Sequence, residues 1–223
     1  MARPRQAMLT RQRIVEVASA LVDAEGLDAV STRRLAAELG VRGPSLYNHF
    51  TSKDEILEAV ADAVTATIDL SYWETHDWRE GLRLWAHAYH AALAAHPNIV
   101  PVLARGPNRR PAALAMADTV YGALIRAGWP PARATHIGAL LRYLITGAAL
   151  GSFARGFVDD PALYAERYPH LSHAHLLAGH EHTVDEGAFE LGLELFLAGL
   201  DRLYPTIAHP PPPNGESTSG PGN

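Results

Sequence analysis

Two stretches of the 223-residue chain carry side chains whose types and spacing could do chemistry. In the first, SLYNHF, a very short helical segment from about Pro44 to Phe50 buries Leu46 and Phe50. Ser45, Tyr47, Asn48 and His49 are left facing outward, a row of hydroxyl, amide and imidazole groups able to donate and accept hydrogen bonds. In the second, His170, His173, His175, His180 and His182 fall within 13 residues. Their two H-x-H pairs, His173/His175 and His180/His182, could supply imidazole ligands to zinc, nickel or copper. The competing reading is a polar loop whose imidazoles titrate near neutral pH. Cysteine is absent, which excludes disulfides and thiolate metal sites. No P-loop, dinucleotide fingerprint, G-x-S-x-G elbow or H-E-x-x-H motif occurs, so the chain reads as no enzyme and implies no cofactor.

The elements that must position the first row are short helices. From Arg33 to Leu39, residues Leu35, Ala36 and Leu39 share one helix face, and Gly40 supplies the left-handed residue that ends it. Val41, Arg42 and Gly43 form a turn, and Pro44 stands where a first helical residue needs no N–H. This is the layout of a helix-turn-helix, whose second helix enters a DNA major groove; it is also the layout of an ordinary helical hairpin. A helix with the stripe Ile14, Val15, Ala18, Leu21 and Val22 precedes it and closes at Gly26. Ser52 and Glu55 form a capping box that opens a further helix reaching about Leu70.

The remainder keeps helical periodicity. Asp77 and Glu80 open a helix with Trp78, Leu82, Trp85, Tyr89 and Leu93 on one face, and further helices are predicted over about 112–127, 134–153 and 186–204. The fold class is therefore all-α. Residues 134–153 are the most apolar window but include His136 and Arg142, which favours a helix buried among others over a membrane span. Residues 158–183 break the pattern, and the Pro/Gly-rich tail 205–223 buries too little apolar surface to order itself. Net charge is −5, yet residues 1–53 carry eight Lys/Arg against five Asp/Glu, a net +3, leaving −8 for the rest. A basic end on an acidic body suits contact with phosphate at one end only, and excludes a uniformly basic nucleic-acid binder. No signal peptide is read, and a cytoplasmic location is expected.

The lead-in IVEVASALVDAEGLDAVSTRRLAAELGV and the signature GPSLYNHFTSKDEIL resemble the DNA-binding domain of the TetR family of bacterial transcriptional regulators. The resemblance implies a helix-turn-helix domain over 1–54 with a basic arm, a helical ligand-binding and dimerisation domain over 55–204, and a tail over 205–223. It implies a homodimeric repressor on a pseudo-palindromic double-stranded DNA operator, paired through helices near 134–153 and 186–204. A small-molecule inducer would release it; a metal-responsive regulator using residues 170–182 is the alternative.

Carried onto this sequence, the motif puts Thr32 and Arg33 beside the phosphate backbone, with Thr32 capping its helix. Arg42, Gly43, Pro44 and Ser45 form the turn and the start of the recognition helix. Because Gly43 has no side chain, base reading falls to Arg42, Ser45 and Asn48, while Tyr47, His49 and Lys53 hold phosphate. Trp85, Tyr89, Leu103, Met116, Tyr121 and Tyr143 are the inducer-pocket candidates, each with a plain core role as the alternative. Tetracycline repressors hold their drug–magnesium complex through a histidine where this chain aligns Leu103, so tetracycline–magnesium recognition is not expected.

Overall fold

Helix N-caps set the frame. Thr10, Ser31, Ser52, Asp77 and Asp160 each accept a backbone N–H from the first turn of the helix that follows, satisfying donors that otherwise lack a partner. In this computed structural model, which describes residues 9–106 and 109–207, the described residues form ten α-helices and no strand. These are α1 (Arg11–Glu25), α2 (Thr32–Leu39), α3 (Gly43–Leu46), α4 (Lys53–Thr65), α5 (Trp78–Ala95), α6 (Val100–Leu103), α7 (Pro111–Arg126), α8 (Pro131–Ala149), α9 (Pro161–Arg167) and α10 (Glu181–Ile207).

The all-α expectation holds, with several boundaries moved. Ser31, not Thr32, caps α2, its Oγ accepting from Arg34 N at 3.2 Å. Helix α3 starts at Gly43 and ends at Leu46, so Tyr47, Asn48 and His49 lie in the turn after it. Helix α4 stops at Thr65 instead of Leu70, although Ile68 beyond it is still buried. The interval 158–183 is not featureless: it holds α9 and 3-10 turns at Pro169–Leu171 and Ala174–His180. Helix α10 starts at Glu181 and runs through Pro205 to Ile207, past the expected end of order at Tyr204. The basic arm 1–8 and the tail 208–223 lie outside the described residues.

One apolar core runs from Ile14 in α1 to Leu200 in α10. Helices α5 and α8 pack on each other, giving Leu82, Trp85, Tyr89 and Leu93 from one and Ile137, Leu141 and Ile145 from the other to the core, while α4 packs on both α1 and α7. Trp129, which no periodic stripe singled out, joins Trp78 and Tyr204 with ring centroids 5.1–5.4 Å apart and ties the end of α10 to the start of α5. Among the described residues no helix is long and apolar enough to cross a membrane.

Candidate nucleic-acid interface and body cavity

A four-residue helix has no stability of its own, so α3 is placed by what it buries. Leu46 and Phe50, 1% and 2% exposed, anchor it and the turn that follows. Arg11 of α1 completes the anchorage. Its guanidinium lies over the Phe50 ring at 3.9 Å, and its Nη1 donates to His49 O at 2.6 Å and to Glu55 Oε1 at 2.9 Å. Glu55 also accepts from Thr51 N at 2.7 Å and Thr51 Oγ1 at 2.9 Å. The carboxylate thus reaches Thr51, one residue before the partner a capping box predicts, while Ser52 Oγ accepts from Glu55 N as expected. The Thr51 hydrogen bonds, with Arg11 adding to them, hold the Glu55 pKa below its ordinary value. Arg11 looked like one more basic residue in the sequence; it is structural.

With Leu46 inward, Arg42, Pro44, Tyr47 and Asn48 are exposed, and Ser45, His49 and Gly43 are half-buried. Arg33 and Lys53 are exposed and Thr32 half-buried. Arg34 is engaged with Glu25 at 3.0 Å and Glu38 at 3.2 Å, whereas Arg33, Arg42 and Lys53 have no ion pair among the described residues. The sequence-predicted row is therefore brought onto α2, α3, the following turn and the first residue of α4, with three cations uncommitted.

A second candidate site lies in the body. Five of the six pocket candidates, Trp85, Tyr89, Met116, Tyr121 and Tyr143, line a cavity of about 100 Å³ between α5, α7 and α8. Leu103 does not: it is 1% exposed, buried in the core cluster. Arg110 and Arg142, which periodicity did not select, also line the cavity. Arg110 sits in the breaker-rich run RGPNRRP, yet it is 4% exposed. It pairs with Glu58 of α4 at 3.3 Å and donates to Gly106 O. Burial lowers its pKa from the ordinary arginine value, and Glu58 opposes that shift. Arg142 Nη2 donates to Leu103 O at 2.6 Å. Gly138 lets Tyr121 close on α8, since a Cβ there would lie 2.3 Å from Tyr121 Cε1.

Cavity and recognition row meet at α4. Helix α7 has no side-chain cap of its own; Asp62 Oδ1 of α4 accepts from Ala112 N at 2.9 Å and Ala113 N at 3.3 Å and fills that place. With Glu58 on Arg110, two carboxylates one turn apart on α4 hold the start of α7. Separately, Asn98 Nδ2 donates to Val22 O at 2.9 Å, and His96 lies 2.9 Å from Asp23, joining the end of α1 to the body.

The histidines do not converge. His180 Nδ1 meets Leu176 O at 2.9 Å, His182 lies 3.7 Å from Glu186, and His173 contacts Ser172. Among the described residues no group of three His, Cys, Asp or Glu could hold a metal ion. What α8 and α10 do present is apolar surface: Leu140 and Tyr143 on one, Leu191, Leu195 and Leu203 on the other, are between 47% and 65% exposed.

Residues 14–60 match the model of bacterial regulatory proteins of the tetR family, and residues 73–204 match the tetracyclin repressor-like C-terminal domain. The chain is similar to the class C tetracycline repressor protein of Escherichia coli, 32% identical over 207 residues, which covers 87% of this chain and 92% of that protein. Among solved structures it is similar to the ActR protein of Streptomyces coelicolor in complex with (S)-DNPA (32% identity, 88% and 98% covered, TM-score 0.74). It is also similar to a TetR variant from Acinetobacter baumannii in complex with minocycline (25% identity, 88% and 98% covered, TM-score 0.68).

Proposed function

This chain belongs to the tetR family of bacterial regulatory proteins, and we propose that it acts as a homodimeric repressor released from its operator by a small molecule held in the α5–α7–α8 cavity. The observation that carries this reading is the exposed row Arg33, Arg42, Tyr47, Asn48 and Lys53, its cations without an ion pair among the described residues, set on a helix-turn-helix by buried Leu46 and Phe50. Residues 1–54 form the DNA-binding unit and 55–204 the regulatory body. Arg42, Ser45 and Asn48 read base edges. Thr32, Arg33, Tyr47, His49 and Lys53 hold phosphate, with Gly43 and Pro44 letting the backbone come close.

One four-residue recognition helix gives little contact area, so specific affinity needs two copies on a pseudo-palindromic site. The exposed leucines of α8 and α10 support their pairing into a four-helix bundle with a second copy. Gly147 of α8, with open space where its Cβ would stand, lets that copy approach closely; Gly151, expected on the same helix, lies beyond its end at Ala149. A monomer by sedimentation at micromolar concentration would contradict this assembly. That ActR and the Acinetobacter TetR variant were solved with (S)-DNPA and minocycline supports a ligand in the body. Such a ligand favours one spacing of the two DNA-binding units, and affinity falls only as far as its differential binding allows.

The test is selection of bound DNA from a genomic library, followed by salt-titrated anisotropy on the selected and a random duplex. Arg42→Ala weakens the selected site by about 1–3 kcal/mol and leaves the random duplex nearly unchanged. Lys53→Ala weakens both alike and lowers the salt slope by about 1. Equal losses on both duplexes for Arg42→Ala would remove Arg42 from the base readers.

A further inference from the structure

Resting on the cavity reading above, we propose that the effector is a planar aromatic anion, its negative edge held between Arg110 and Arg142 and its ring among Trp85, Tyr89, Tyr121 and Tyr143.

The charge argument comes first. The charged side chains lining the cavity, among the described residues, are Arg110 and Arg142, both cations. Glu58 and Asp62, the carboxylates that face Arg110 from α4, do not line it. Burial, with a smaller contribution from Arg142, lowers the pKa of Arg110 and Glu58 opposes the shift; an anion in the cavity adds a second favourable partner for that charge. Arg142 carries five N–H donors, of which Nη2 is directed to Leu103 O. The planar guanidinium fork matches a carboxylate's two oxygens. Trp85 Nε1 is a further buried donor in the same wall, without an acceptor among the described residues. The polar lining is thus rich in donors and contains no carboxylate. An amine would meet two like charges, and a plain hydrocarbon would leave the remaining Arg142 N–H donors and Trp85 Nε1 no new acceptor.

Shape supplies the ring. Trp85 and Tyr89 stack on each other, 29° apart with centroids at 6.1 Å, and both line the cavity, while Tyr121 lies against Gly138 on another side of it. Aromatic faces of this kind hold a flat π-system by offset stacking or edge contact. The enclosed volume, about 100 Å³, is below the roughly 150 Å³ of a cavity that admits benzene. One or two rings therefore enter only as the wall yields, and Tyr143, 65% exposed in the single chain, is the most exposed side chain named at this cavity. Ligand entry and displacement of α8 or α7 side chains become the same event.

The experiment is isothermal titration of the full-length protein with three probes of one shape: 2-naphthoate, 2-naphthamide and 2-naphthylmethylammonium. The naphthoate is expected to bind at least about tenfold more tightly than the amide, as a charge-assisted hydrogen bond requires, with the ammonium weakest. Arg142→Gln erases the difference between naphthoate and amide; Arg142→Lys, which keeps the charge without the fork, retains part of it and serves if the glutamine variant fails to fold. Gly138→Ala, which forces the Tyr121 ring off α8, weakens every probe. Amide binding as tight as naphthoate, or a preference for the ammonium, would overturn the anion assignment. If Gly138→Ala still weakened that binding, the cavity would stand as the effector site with a different ligand class. No binding of any probe would overturn both the assignment and the cavity reading, and DNA selection would then judge the regulator by itself.

Discussion

Phe50→Ala is expected to cost about 3–5 kcal/mol of folding free energy, as truncating a buried Phe does, and to abolish specific DNA binding. The ring is 2% exposed and does three things at one point of the chain. It fills the floor beneath α3, it carries the Arg11 guanidinium at 3.9 Å, and it holds in place the residue whose backbone N–H closes on Leu46 O at 3.0 Å. A helix of four residues cannot hold its conformation alone. Removing the ring therefore releases the turn 47–50 and with it Tyr47, Asn48 and His49. Phe50→Leu, which keeps most of the volume, should cost less than about 1.5 kcal/mol. Urea denaturation and a gel shift on the selected duplex separate the effects. Lost binding with an unchanged denaturation midpoint would mean that Phe50 touches DNA and does not anchor the turn.

Glu58→Ala is the second large effect. Its carboxylate, 25% exposed, lies 3.3 Å from a guanidinium that is 4% exposed. Deleting one partner of a buried pair leaves a charge in low dielectric, on the order of 3 kcal/mol here, with the Gly106 carbonyl retained as an acceptor. Replacing both charges, Glu58→Ala with Arg110→Met, should recover most of the loss, because two desolvation penalties vanish together. Thermal melts of the single and double variants check this. A double variant no more stable than the single one would place the damage in lost packing around α4. The double variant should also lose the naphthoate preference while keeping its fold.

The pattern of what was legible in the sequence follows from where each signal resides. Caps and stripes are local: Ser52 and Asp77 cap where their spacing to Glu55 and Glu80 says, and Leu46 and Phe50 bury as periodicity requires. Arg11 and Arg110 were not legible. Each is defined by partners far along the chain, Arg11 by His49 and Glu55 and Arg110 by Glu58, and a charge count cannot tell an anchored arginine from a solvated one. Leu103 lies in the core and does not line the body cavity. It was chosen as a large apolar residue on a body helix, a property that core and cavity positions share, and here its carbonyl accepts from the cavity-lining Arg142. The end of α3 was overrun because a glycine-opened segment with apolar residues at i and i+4 looks the same whether its last turn is helical or not.

The grip of α4 on α7 has a mechanical consequence. Asp62, which fastens to the start of α7, stands nine residues from Lys53 on one unbroken helix, a rigid arm of about 14 Å. If the fastened end is the fulcrum, a swing of only about 6° carries Lys53 through roughly 1.4 Å, beyond the 2.7–3.2 Å window within which an N–H···O contact survives. Two such arms in a symmetric pair swing oppositely, so the displacements add. On the proposed function, a side-chain rearrangement no larger than the flip of one ring in the body would be geared up to a change in reach that a rigid duplex cannot follow.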